Sequence, residues 1–270
     1  MNPAIILDKC FLQGTSAARI RELAASRRLV VSDALFYELL TSDEPARSRC
    51  FGKFPPVENP VDLVSHIGPL MRLEMETHRP SGSPSTHREN WRFQFNPALV
   101  TSDYEVPESG RVAIEEHSQE LRSDVLSFIE RARLTPTFFP NLLEGSQPER
   151  KQARADAESA IADPGSLLPF YSSLEPPEGE KPLPPAHLVS EEWALYRWLQ
   201  VHMLFGVDLY VRYAGRIPQT LSTNIFEKLE HDVLDAQVLM LGCLEGAFAT
   251  RERKLQRWWK LLCPAGEWYE

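Results

Sequence analysis

Ala4-Ile5-Ile6-Leu7-Asp8-Lys9 is an apolar run closed by an acid, and it reads as a short buried strand that carries a carboxylate out at its C-terminal end. Ala247-Phe248-Ala249-Thr250-Arg251-Glu252 repeats that design near the other end of the chain. In an open parallel sheet, ligands bind in the crevice beyond the carboxyl ends of the strands, so acids delivered there from distant parts of the sequence can converge on one site. A metal-dependent site is the expectation.

Two further segments fit the same plan. Arg28-Leu29-Val30-Val31-Ser32 reads as a second strand, and Asp33-Ala34-Leu35-Phe36-Tyr37-Glu38-Leu39-Leu40 as a helix begun at a Ser/Asp cap, with Glu38 a turn or two inside it. From about Ser222 to Glu245 the pattern is helical: Ile225, Leu229, Val233, Ala236 and Met240 share one face, and Asp232 and Asp235 lie one turn apart.

The ordered set Asp8, Glu38, Asp235 and Thr250-Arg251-Glu252, with seventeen positions between Asp235 and Glu252, resembles the PIN-domain nucleases. That family's pattern is a strand ending in Asp, a strand-helix unit with an early helical Glu, an Asp at the start of a late helix, and a strand ending in Thr or Ser, any residue, then an acid. Cys10 stands where the family often has Asn, and Glu252 where it often has Asp. The resemblance implies an α/β, three-layer PIN-like domain with a mostly parallel central sheet. Residues 1–45 and 225–270 would form this single domain, with 46–224 as a large, mainly helical insertion. It implies that Asp8, Glu38 and Asp235 are metal ligands for Mg²⁺ or Mn²⁺, that Glu252 is a fourth catalytic acid, and that Asp232 is a substitute ligand. Thr250 becomes a helper hydroxyl that joins Lys9, Arg251, Arg253 and Lys254 in contacting substrate. The implied substrate is RNA rather than DNA.

Carboxylates suit such chemistry because Mg²⁺ and Mn²⁺ are hard cations that choose oxygen ligands, and because several negative charges share a small site only when a cation neutralises them. A metal between carboxylates and a phosphate oxygen can acidify water and stabilise the leaving oxygen, the requirements of phosphodiester hydrolysis.

Composition bounds the alternatives. The 270 residues are 43% hydrophobic and 25% charged, an ordinary globular balance able to bury a real core. No apolar run is long enough for a membrane span and no basic leader precedes the first strand, so a cytoplasmic protein without membrane contact is expected. Cys10, Cys50, Cys243 and Cys263 are scattered, which argues against a zinc site or a disulfide framework. A net charge of −9 gives no general attraction for nucleic acid. The segment Arg251–Lys260, with five basic residues and one acid, can still set cations against phosphates beside the site, while Leu255, Trp258 and Leu262 mark the buried face of an amphipathic helix.

The intervening stretch is expected to be helical near Val61–Thr77, Glu108–Leu134, Glu149–Ala162 and Leu188–Tyr213, with breakers at Arg79–Pro84 and Glu175–Pro185. It is a candidate surface for a protein regulator or for homo-oligomer formation. Two alternatives to a metal nuclease arise. Arg197 and His202 resemble the short motif of the metal-independent HEPN ribonucleases. Residues five apart on a helix, however, point about 140° away from each other, and burial of Trp193, Leu195, Tyr196, Leu199 and Phe205 is the plainer role for that stretch. The other alternative is a catalytically inactive PIN-like scaffold that binds a protein partner. His231-Asp232 has no matched partners for an HD-type phosphohydrolase, and His66, His78, His87, His117 and His187 show no metal-ligand spacing.

Overall fold

The computed structural model describes residues 2–90, 95–174, 181–218 and 221–270. The chain opens with β1 (Ala4–Leu7), α1 (Lys9–Gly14), α2 (Ala17–Ser26), β2 (Arg28–Ser32), α3 (Asp33–Leu40), α4 (Ala46–Phe51), β3 (Asp62–Val64) and α5 (Ile67–Thr77). It continues through α6 (Glu108–Arg133), α7 (Thr135–Phe138), α8 (Gln147–Ala162), α9 (Pro164–Ser172) and α10 (Ala194–Arg212). It closes with α11 (Thr223–Glu245), β4 (Ala247–Ala249), α12 (Arg253–Leu262) and β5 (Glu267–Tyr269). The protein is α/β, and the five strands among the described residues form one parallel sheet in the order β3-β2-β1-β4-β5.

Two compact units result: one contains residues 1–70, 82–117 and 237–270, the other 71–81 and 118–236. The sheet-bearing unit therefore takes in residues 46–70 and 82–117 and not 225–236, whereas the sequence reading placed 46–224 in the insertion and 225–270 with the sheet.

In the first unit the central strand β1 is buried at all four positions, because it is flanked by β2 and β4 and covered by helices on its faces. Register follows: Ile6 pairs with Val30 on one side and with Phe248 on the other. Ile5, Leu7, Leu29 and Val31 join Phe11, Leu12, Leu35, Leu39 and Phe51 in one apolar cluster. The expected helix over Val61–Thr77 is corrected at its start, where Asp62–Val64 is a strand. Its backbone partners come from outside the segment: β2 pairs with it, the Leu63 carbonyl accepts from Glu89 N–H at 2.7 Å, and Leu63 N–H donates to Asn90 Oδ1 at 2.9 Å. Those contacts also cover what would be an open sheet edge. Gly246, at φ +78°, makes the left-handed turn from α11 into β4, a conformation that a side chain would strain.

The second unit is helical. Leu167, Tyr171, Val189, Trp193, Leu195, Tyr196 and Leu199 form its buried cluster. The helix expected from Leu188 begins at Ala194, where fully buried Glu74 accepts the N–H groups of Ala194 and Leu195 at 2.7 and 2.9 Å. A carboxylate at that point satisfies orphan donors and faces the positive end of the helix dipole. The breaker at Glu175–Pro185 lies partly outside the described residues. Among the described residues no helix is long and apolar enough to cross a membrane.

Candidate active site

Asp8 is the first residue beyond β1, and Thr250 the first beyond β4. The chain leaves β1 for β2 on one side and later returns as β4 on the other, so the β1/β4 border is where strand order reverses. That is the place at which open α/β sheets part to admit a ligand.

The side chains there are tied together. The Thr250 hydroxyl donates to Asp8 Oδ2 at 2.6 Å, and the Cys10 thiol donates to the same oxygen at 2.6 Å. Thr250 Oγ1 also accepts Glu252 N–H at 3.1 Å, and Cys10 Sγ accepts Arg251 N–H at 3.2 Å. Only 4% of Asp8 is exposed. Burial pushes its carboxyl above the ordinary range, Cys10 and Thr250 pull it back, and the charges of Glu38 and Glu252 push it up again, for a net rise. The Cys10 thiol is pushed up to about 12, by burial first and by the neighbouring Asp8 charge next, and stays protonated. Cys10 was read from the sequence as a departure from a pattern; the structure shows it as a donor to the central acid. A residue two past a strand-end Asp, in the first turn of the following helix, is the signal that pointed to that position.

Ser32 ends β2 and caps α3 by accepting Leu35 N–H at 3.1 Å, which sets Glu38 on the second turn of that helix. Half-buried Glu38 pairs with Lys9 Nζ at 3.2 Å. Glu252 sits at the N-cap of α12 and pairs with Lys254 Nζ at 3.6 Å. Asp8, Thr250 and Cys10 are thus joined by hydrogen bonds, and the charges of Glu38 and Glu252 act on Asp8. Arg251 reaches back to the Gly14 carbonyl, and Arg253 is exposed at the start of α12. The amphipathic reading of α12 holds: Leu255, Trp258 and Leu262 are buried, as is Trp259.

Asp235 is half-buried in the middle of α11, on the portion that belongs to the second unit, and not at a helix start. Asp232, one turn earlier, is committed elsewhere. Arg212 grips it with two bonds of 2.6 and 3.1 Å, and Asp208 joins Arg212 to Arg154. Asp232 is therefore a structural ion-pair member rather than a substitute ligand. Among the described residues, no three His, Cys, Asp or Glu side chains form a ready-made metal cage.

The Arg197 and His202 pair serves packing. Arg197 donates to the Glu191 carbonyl and to Gln200 Oε1, both at 2.8 Å. His202 Nδ1 donates to the Trp198 carbonyl at 2.8 Å, and its pKa is held down to about 3 by burial and then by the Arg131 charge. Trp193, Leu195, Tyr196, Leu199 and Phe205 are all buried, as that stretch's pattern required. The four cysteines are free thiols. Comparison with protein-family models, curated proteins and solved structures finds no match to this chain.

Proposed function

We propose that the chain is a divalent-metal-dependent nuclease of PIN-like architecture that hydrolyses phosphodiester bonds, in RNA rather than DNA. The observation that carries this reading is the buried Asp8 carboxylate at the β1/β4 border, held by Thr250 and Cys10 and acted on by the charges of Glu38 and Glu252. Gathering acids around a desolvated carboxylate costs stability, and a bound cation offsets that cost. Oxygen donors in a negative local field fit Mg²⁺ or Mn²⁺, and Asp8 and Glu38 would hold the ion with Glu252 beside them. When bound, the ion supplies Lewis acidity toward a phosphate oxygen and acidifies water.

The chain's own groups do the rest. Thr250 fixes the orientation of Asp8, and Cys10 supports it as a protonated donor. Lys9 and Lys254, which neutralise Glu38 and Glu252, become available to phosphate oxygens once those acids turn to a cation. Exposed Arg251 and Arg253 extend that positive edge.

A second reading, a PIN-like scaffold that binds a protein partner, is favoured by one observation: Lys9 and Lys254 already neutralise two of the acids without any metal. One experiment separates the two. End-labelled single-stranded RNA and DNA are incubated with the protein in Mg²⁺ or Mn²⁺, with EDTA, and with Asp8→Asn. The nuclease reading expects RNA cleavage that stops with EDTA and with Asp8→Asn. Cleavage that survives both, or no cleavage under any condition by folded protein, removes it.

A further inference from the structure

The second unit contains a cavity of about 120 Å³ between α6, α7, α9 and α10, and its walls are mostly apolar. Phe138 and Phe170 meet edge to face at 5.0 Å, and Trp198 lies against His202 at 4.6 Å. At the mouth, Leu134, Phe138 and Leu174 remain 53, 40 and 38% exposed, apolar surface that nothing in the described chain covers. A cavity of about 150 Å³ with such walls holds benzene, so the space suits one small ring or a short branched chain.

One wall is different. Arg131 lines the cavity with its guanidinium 5.1 Å from the Trp198 ring, and its Nε is buried without a hydrogen-bond partner. Native interiors rarely leave a charged donor unmet, because the group has given up water and received nothing in exchange. A guanidinium takes a carboxylate through two parallel bonds.

We propose that this cavity is a binding site for a small apolar monocarboxylate, such as an arylacetate, with its carboxylate on Arg131 and its ring or chain between Phe138, Phe170 and Trp198. Among the described residues lining the cavity, Arg131 carries the one formal charge, which selects an anion over a cation. His202 is uncharged, since its Nδ1 donates to the Trp198 carbonyl and its pKa stays near 3. The Ser173 hydroxyl is spent on the Phe170 carbonyl, so the walls offer few of the hydrogen-bonding edges that a nucleobase needs. Burial lowers the hold of Arg131 on its proton, the charges of Asp124 and Glu130 offset part of that effect, and a bound carboxylate adds to the offset. The proposal is independent of the nuclease reading.

The test is calorimetric titration of the full chain with phenylacetate, its uncharged isostere phenylacetamide and the cation phenethylamine, repeated on Arg131→Gln and Arg131→Lys. Saturable binding of phenylacetate is expected, with the amide and the amine at least about tenfold weaker. Arg131→Gln should erase the preference for the acid. Arg131→Lys, which keeps the charge and loses the fork, should retain part of it and serves as the deciding variant if the Gln protein does not fold. No saturable binding of phenylacetate, benzoate or hexanoate overturns the proposal, and so does equal binding of acid and amide or an unchanged preference in the folded variants.

Discussion

The Thr250 hydroxyl donates a 2.6 Å hydrogen bond to Oδ2 of Asp8 across 242 positions of sequence. Adjacent parallel strands place the two residues side by side, and the bond fixes the carboxylate on which the site is built. Thr250→Val keeps the shape and removes the donor. A hydrogen bond to a charged group contributes about 1.5–3 kcal/mol, and loss of a group that orients a metal ligand weakens metal affinity about 10–100-fold. Thr250→Val should therefore need correspondingly more Mn²⁺ for half-maximal cleavage, which a metal titration of RNA cleavage measures.

Asp8 itself links stability to pH. Its folded-state pKa is raised above the unfolded value of about 3.9, chiefly by burial, so the native state binds the extra proton. Its stabilising contribution is full below the unfolded value and is lost as pH rises through the folded one. In EDTA, Asp8→Asn should melt no lower than wild type near neutral pH, and its advantage should shrink as pH falls to about 4.

Metal should reverse that order. An ion that binds only the native state raises stability by ~2.7 kcal/mol at a hundredfold excess over its dissociation constant. Millimolar Mn²⁺ should raise the melting temperature of wild type and leave that of Asp8→Asn nearly unchanged. Equal responses in the two proteins would mean that the ion binds elsewhere.

Asp232 on α11 is held by an ion pair, and its loss should be read in stability. Asp232→Ala breaks the two-bond grip of Arg212 and should cost about 2 kcal/mol, below the figure for a fully buried pair because Arg212 is 37% exposed. Urea unfolding measures that loss.

Glu74 accepts four hydrogen bonds, from the N–H and hydroxyl of Ser81 and from the first N–H groups of α10. Glu74→Ala leaves those buried donors unmet and should cost about 3 kcal/mol, whereas Glu74→Gln, which keeps one acceptor oxygen, should cost about 1 kcal/mol. Denaturant unfolding measures the difference.

The strands that are apolar throughout were legible in the chain. Arg28–Ser32 and Asp33–Leu40 have the bounds their pattern indicates, and Ala4–Leu7 and Ala247–Ala249 stop one residue before Asp8 and Thr250. Those segments state their structure locally, through an unbroken apolar run or a capping serine, and the strand ends in turn mark where acids must emerge. The edge strands β3 and β5, three residues each, carry no such signal. Asp62–Val64 is a strand because β2, Glu89 and Asn90 satisfy its backbone, and those partners are distant in sequence.

The site divides in the same way. Residue type and order along the chain were enough to nominate Asp8, Glu38, Thr250 and Glu252, since a carboxylate after a buried strand is visible in one dimension. Only the folded chain decided what each nominee does: Asp232 is taken by Arg212, and Cys10 becomes a protonated donor to Asp8. Such roles depend on which groups lie within about 3 Å and on how much water remains near them, and both are set by the packing of segments far apart in sequence.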